Sequence, residues 1–323
     1  MEKITAEIVK KLYLPPKNSH KGQNGKLTII GGSKLFHGAS LWALKIASRI
    51  VDMVFYTSTI ENVALTQDFN KKLYDFISVS MEEALNYIEE SDAVLIGPGM
   101  ARAAGDLSKC EYIMKDIKEI KDIENEGILT YHLTKYLFKK YPQKKWIIDA
   151  GALQMMDSEW LKPLKQVVIT PHLKEFINLF NIAGNTCRSE HKRRTSAVID
   201  PSPAERDQDD EKRCSLVSQK AKEYNCVIVL KGPTDIVCSP TNCLINKTGN
   251  EGMTKGGTGD VLAGLIAGLA CKNDLFLAAC AGVYINGLAG DELYKTVGPY
   301  FNASDLCDQI PKTMWKLIQL LSS

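Results

Sequence analysis

The chain carries no strong charge of either sign: 40 Lys and Arg stand against 38 Asp and Glu, a formal net charge of +2 over 323 residues. So even a balance gathers neither nucleic acid nor an anionic membrane, and neither is expected as a partner. No apolar run reaches the length of a membrane span. The opening MEKITAEIVKKLYLPP lacks the apolar core of a secretory signal, so a cytoplasmic location is expected. CxxC pairs are missing as well. The nine cysteines are scattered and odd in number. That pattern reads as reduced thiols, with neither a disulfide framework nor a zinc site. Cys226, Cys271 and Cys280 sit in apolar runs and read as small core residues. Neither G-x-x-x-x-G-K-S/T nor a G-x-G-x-x-G after a strand occurs, which sets aside two common phosphate loops. Internal repeats and a clear linker are also lacking. With 45% apolar residues the chain can bury a sizeable core. The expected layout is a lead-in at 1–26 and a single domain at 27–321.

What is present alternates between short apolar runs and helical spacing. Leu27 to Ile30, Met53 to Thr57, Phe76 to Val79, Ala93 to Ile96, Trp146 to Ile148, Val167 to Thr170 and Val227 to Leu230 read as buried strands. Glycine turns and helical stretches separate them, the order of a mostly parallel sheet covered by helices. Ile236 to Cys238 and Cys243 to Asn246 read as a hairpin about Pro240-Thr241-Asn242, and 106–142 reads as charged helices. Several strands end in residues suited to a ligand: Gly31-Gly32, Gly97-Pro98-Gly99, Asp149, Thr170-Pro171-His172 and Lys231-Gly232-Pro233. In open parallel sheets that end is where ligands bind.

Residues 183–213 break the pattern. They are rich in charge, Ser and Pro, and are expected to be a polar insert of surface-loop composition. Cys187, His191 and Cys214 fall near it, at a spacing that fits no standard zinc site. A helix is expected after it, near Ser215 to Tyr224.

The richest stretch is NEGMTKGGTGDVLAGLIAGLA, Asn250 to Ala270. A glycine loop runs into a helix of small apolar residues. Clustered glycines and a helix start bring N–H donors to one point, a place for a phosphate or another anion. Asp260 stands where that anion would lie. Two readings of it remain open: a helix N-cap, or a base that takes a proton from a hydroxyl beside the phosphate.

This stretch resembles the anion hole and catalytic base of the ribokinase-like superfamily. Extended to TGNEGMTKGGTGDVLAGLIAGLA, it is more closely similar to that of the ADP/ATP-dependent NAD(P)H-hydrate dehydratases. TPHLKEF and KGPTD resemble two further motifs of that family, and the likeness runs from about His20 to about Pro311. The resemblance implies an α/β ribokinase-like fold, a mostly parallel central sheet with helices on both faces. It implies repair of the S-form of hydrated NADH and NADPH (NADHX and NADPHX). ADP or ATP would phosphorylate the C6 hydroxyl, phosphate would leave, and Mg2+ would assist. By motif position, Ala39, Gly99, His172 and Asp260 would contact the hydrate. Lys231, Gly232, Pro233, Thr234, Asp235 and Gly259 would hold the adenosine nucleotide. Asp260, with Gly257 and Gly259, would be catalytic, and Glu175 would hold the metal through water. A separate NAD(P)HX epimerase is the expected partner, and self-association into a homo-oligomer stays open. The alternatives are a ribokinase-like kinase of a thiazole or pyrimidine alcohol and a non-catalytic nucleotide-binding protein. Two places depart from the family pattern: Met100-Ala101-Arg102 follows Gly99, and Asp149-Ala150-Gly151 stands where the family has DAD.

Overall fold

A strand that is apolar at every position has two faces to bury, so it needs helices on both sides. The structure, a computed structural model, describes residues 1–63, 75–103, 114, 116–182 and 203–322, without the side chains of 203–208 and 322. Its strands are β1 (Lys26–Ile30), β2 (Met53–Thr57), β3 (Ile77–Ser78), β4 (Ala93–Ile96), β5 (Lys145–Ile148), β6 (Gln166–Ile169), β7 (Val227–Leu230), β8 (Asp235–Cys238) and β9 (Cys243–Asn246). They form one sheet in the order β3-β2-β1-β4-β5-β6-β7-β8-β9. Pairing is parallel from β3 through β7, then antiparallel for β7–β8 and β8–β9. Connections run outward on either side of the β1–β4 pair, the switch point where such sheets open a crevice.

The helices are α1 (Glu7–Lys10), α2 (His37–Ala47), α3 (Ala84–Glu90), α4 (Ile117–Lys121), α5 (Glu126–Lys140), α6 (Ala150–Met155), α7 (Leu173–Leu179), α8 (Pro203–Glu223), α9 (Thr258–Ala270), α10 (Leu275–Val297) and α11 (Ala303–Ser322). Alternate strand residues divide between two cores. Leu27, Ile29, Ala93, Leu95 and Ile147 face α2, α9, α10 and α11. Ile30, Val94, Ile96, Trp146 and Ile148 face α5, α6, α7 and α8. This period of two is what the pleat dictates. Among the described residues no helix is long and apolar enough to cross a membrane.

Each expected strand has its counterpart. Helices α4 and α5 occupy the described part of the 106–142 stretch, and 104–113 and 115 lie outside the described residues. Three expectations need correction or extension. The stretch 183–213 lies outside the described residues up to 202, but from Pro203 it is the first half of α8. Ala, Glu, Gln, Lys and Arg there are good helix formers, so high polarity was a poor guide to irregular backbone. The lead-in is not passive: Ile4, Val9 and Leu12 are buried. The Ile4 N–H donates to the Ile245 carbonyl at 2.9 Å, and the Ile245 N–H to that of Glu2 at 3.0 Å. These bonds cover the exposed edge of β9. Finally, the cysteines are not all thiols. Cys238 and Cys243 face each other across the hairpin with Cα atoms 4.1 Å apart and are joined as a disulfide. A search for CxxC misses a pair that only the hairpin register brings together. Cys214, Cys226, Cys271, Cys280 and Cys307 are free, and all but Cys214 are buried.

One glycine couples the sheet to its ligand end. Gly97 has φ 121°, and a Cβ added there would lie 1.8 Å from the Asp149 carbonyl oxygen. Gly97→Ala therefore meets a strained backbone and a hard clash together. It should cost roughly 2–4 kcal/mol, read as a lower Tm or an earlier urea midpoint. An unchanged midpoint would mean that β4 and the 149 turn can move apart.

Candidate active site

The strand ends are tied to one another in sequence across the sheet. The Gly32 N–H donates to the Pro98 carbonyl at 2.7 Å, that of Asp149 to Ile96 at 3.1 Å, that of Thr170 to Ile148 at 3.1 Å, and that of Lys231 to Pro171 at 2.9 Å. These bonds set the five predicted turns side by side along one crevice. At its β1 end, a Cβ added to Gly99 would meet the Phe36 carbonyl at 2.3 Å and the Ala39 Cβ at 3.1 Å. Ala39 and Gly99 therefore adjoin, and Gly99 must lack a side chain for the start of α2 to approach.

The two departures from the family pattern touch each other. A Cβ on Gly151 would lie 2.1 Å from the Met100 carbonyl oxygen, so a side chain at 151 would meet the backbone at 100. From this corner a polar relay runs to Glu175. Arg102 donates to Gln154 Oε1 at 3.3 Å, and Gln154 Nε2 donates to Glu175 Oε1 at 2.6 Å.

His172 and Glu175 form a capping box at the start of α7. The Glu175 N–H donates to His172 Nδ1 at 3.2 Å, and the His172 N–H donates to Glu175 Oε2 at 2.9 Å. His172 thus has a structural task in addition to the contact expected of it, and its side chain stays half exposed.

The centre is electrostatic. Lys231 Nζ donates to Asp149 Oδ1 at 2.8 Å, with Asp149 fully buried. Asp149 occupies the N-cap position of α6 but makes no side-chain capping bond; its partner is the lysine. Burial works against the Lys231 ammonium, but the charges of Asp149, Glu175 and Asp260 prevail and hold its pKa above the usual value. A Cβ on Gly259 would sit 3.5 Å from Nζ, so the ammonium reaches the first turn of α9. Gly257 caps that helix at φ 97°. A side chain there would strike the Trp42 ring at 2.5 Å.

Asp260 follows in the same turn. It does not act as the N-cap; Gly257 does. Burial pushes its carboxyl up to about 7, with the Asp149 charge adding to the shift and Lys231 opposing it. A carboxyl poised near neutrality at a helix start is suited to taking a proton.

Beside it lies a cavity of about 620 Å³. Lys231, Gly232, Pro233, Asp235 and Gly259 line it, and Thr234 is not among its walls. Asp235 accepts from the Gly232 N–H at 3.1 Å and from Asn246 Nδ2 at 3.1 Å. Burial raises its carboxyl to about 6. The opposite wall is Thr248 to Glu251, which the sequence motif contains without a role assigned to them, with Asn286 and Gly287, which sequence reasoning missed. Asp291 of α10 holds that loop by accepting from the Gly249 N–H at 3.1 Å and Asn250 Nδ2 at 2.9 Å. Asn286 is 6% exposed and its Oδ1 has no hydrogen-bond partner. Such an atom calls for a donor from a ligand or water. The available signal was a lone amide in the otherwise small and apolar run AGVYINGLAG. A larger cavity, about 900 Å³, opens at the ends of β2 and β3. None of the predicted site residues lines it, whereas five of them line the smaller cavity; Ala39, Gly99, His172, Glu175 and Asp260 line neither.

Comparison with known proteins agrees with this geometry. The family model described as NAD(P)H-hydrate dehydratase matches residues 27–312. The chain is 33% identical over 306 residues to the bifunctional NAD(P)H-hydrate repair enzyme of Methanocaldococcus jannaschii, covering 92% of this chain and 49% of that one. It spans about half the length of the first curated relatives it matches. It is 31% identical over 323 residues to the ADP-dependent (S)-NAD(P)H-hydrate dehydratase of Nitrosopumilus maritimus, covering 96% of each. Among solved structures, the ADP/ATP-dependent NAD(P)H-hydrate dehydratase of Bacillus subtilis, co-crystallised with ATP and Mg2+, aligns with TM-score 0.70 at 24% identity over 98% of each chain. The fold is thus ribokinase-like.

The shifted carboxyl is directly testable. Followed by carboxyl NMR, Asp260 should titrate near 7. In Lys231→Met the opposing charge is gone, so Asp260 should titrate higher, and loss of the Asp149 partner should cost roughly 3 kcal/mol. The stability linkage has a definite sign. Because the folded pKa lies above the usual 3.8, the contribution of Asp260 is present at acid pH and is lost as pH rises through about 7. Asp260→Asn should remove that slope.

Proposed function

The chain belongs to the NAD(P)H-hydrate dehydratase family, and from that membership we propose that it dehydrates the S-form of hydrated NADH and NADPH at the expense of an adenosine nucleotide. The observation that carries the reading is Asp260: a carboxyl raised to about 7, in the first turn of α9, beside the cavity floored by Lys231 and Gly259. Asp260 takes the proton of the ring hydroxyl as its oxygen attacks the terminal phosphorus of the nucleotide. The N–H groups of the Gly257–Asp260 turn, with Lys231, face the charge that gathers on the phosphoryl oxygens. The lone pair of the ring nitrogen then expels phosphate, a far better leaving group than hydroxide, and the ring double bond returns.

Substrate lies toward Ala39, Gly99 and His172, and nucleotide toward Lys231–Asp235 and Gly259. Asn286 supplies an acceptor for a nucleotide donor group from the far wall. ADP is the proposed donor, in line with the ADP dependence of the Nitrosopumilus relative. Magnesium fits only through water: Glu175 already accepts from His172 and Gln154, and Asp149 from Lys231. Those carboxylates would hold its water shell, and the ion would neutralise phosphate charge. An S-specific enzyme leaves the other epimer untouched, so a separate epimerase would complete the repair. We place the enzyme in the cytoplasm, as one domain over 27–321.

Purified protein given (S)-hydrated NADH, ADP and magnesium should regenerate the absorbance of reduced nicotinamide. A stable phosphate ester with no recovered NADH would instead identify an alcohol kinase. Asp260→Asn should lower turnover about 10²–10⁴-fold, with nucleotide affinity little changed and Tm at neutral pH and above raised, because the penalty of the buried carboxylate is gone. Loss of nucleotide binding along with turnover would mean that Asp260 organises the loop and is not the base. Asn286→Ala should weaken nucleotide binding by about 1–2 kcal/mol, measured by calorimetry, and leave turnover at saturation near that of the parent.

A further inference from the structure

Cys238 closes β8 and Cys243 opens β9, directly opposed across the hairpin. A third cysteine comes to them from a different element. Helix α8 lies against β8, and the Cys214 carbonyl is 4.0 Å from Cys238 Sγ. All three Sγ atoms lie within 4.8 Å of one another. Cys238 is fully buried and the other two are half-buried. The cluster is remote from the crevice: β8 leaves the nucleotide cavity at Asp235 and reaches Cys238 at its far end.

We propose that Cys214, Cys238 and Cys243, when all three are reduced, bind one soft monovalent d10 metal ion, with copper(I) as the matching chemistry. Among the described residues the group contains three sulphur donors and neither a histidine nitrogen nor a carboxylate. Thiolate-only sets select soft ions. Metal–sulphur bonds of about 2.3 Å place the sulphurs of a trigonal set about 4 Å apart. The observed spacing lies within a side-chain rotation of that. Oxidation state gates the site. A dithiol reductant delivers two electrons and two protons to the Cys238–Cys243 bond, which breaks into two thiols. The ion then replaces thiol protons, which pass to solvent, and no further electron moves. With the disulfide formed, only the Cys214 thiol remains, too few donors to compete. When loaded, the ion ties the body of α8, just beyond the polar insert, to the hairpin that carries Asp235.

The test uses the full chain in two states. Protein reduced with a dithiol, freed of reductant without air, is titrated with copper(I) held by a chromophoric chelator. The same protein with the Cys238–Cys243 disulfide intact is titrated alongside. Reduced protein should withdraw one equivalent, develop sulphur-to-copper absorption in the ultraviolet and gain Tm, while disulfide protein should withdraw none. Cys214→Ser should weaken binding by at least about tenfold, since even loss of a group behind a ligand costs that much. Equal copper uptake by the two oxidation states, or a Cys214→Ser protein that binds as tightly as the parent, would overturn the proposal. If the variant fails to fold, the comparison of oxidation states decides alone.

Discussion

One ammonium group holds the catalytic end of the sheet together. Lys231 arrives at the end of β7 and donates to Asp149 at the end of β5. It also feels the charges of Glu175 and Asp260. Three carboxylates this close, in a partly dry crevice, would repel one another and protonate without it. With it, Asp149 pairs with the lysine at 2.8 Å while Asp260 is left poised near neutral pH. The lysine gains in turn, because its own burial is offset by the acids around it.

The close approach of backbones is the second constraint. Gly97 admits the Asp149 carbonyl, Gly99 admits the start of α2, Gly151 admits the Met100 carbonyl, and Gly257 admits the Trp42 ring. Each contact brings two chain segments nearer than any side chain would allow. The small residues of α9 serve the same end, since Gly264 packs on the backbone of Ala43 in α2. A helix that close to its neighbour fixes the direction in which its first turn, with Gly259 and Asp260, points into the crevice. Gly151 and the backbone of Met100, the two places that depart from the family pattern, lie in direct contact.

At the other end of the sheet the hairpin β8–β9 joins two tasks. Its first residue, Asp235, lines the cavity beside Asp260, and its turn carries the cysteines against α8. Hydrogen bonds from the first residues of the chain cover its outer edge. Residues 203–213, which composition reads as surface loop, are the first half of α8, the helix that packs against β8 of this hairpin.

How much of this was legible follows from the kind of information each feature needs. Local pattern was enough for the strands, because a segment such as Ala93 to Ile96 is apolar at every position and buried on both faces. It was enough for the glycine loop and Asp260, since anion binding at a helix start is a property of a few adjacent residues. It failed at 203–213, where polarity hid helix propensity, and at Cys238–Cys243, where the pairing depends on register. Asn286, the Lys231–Asp149 pair and the contact of Met100 with Gly151 required distances between residues far apart in the chain. The sequence by itself determined the order of elements, the glycine turns and the candidate base, Asp260. Only the tertiary structure decided that Gly257 and not Asp260 caps the helix, and that Lys231 faces three acids at once. It also set the carboxyl near neutrality, because burial and the field of neighbouring charges are sums over residues that meet only when the sheet has formed.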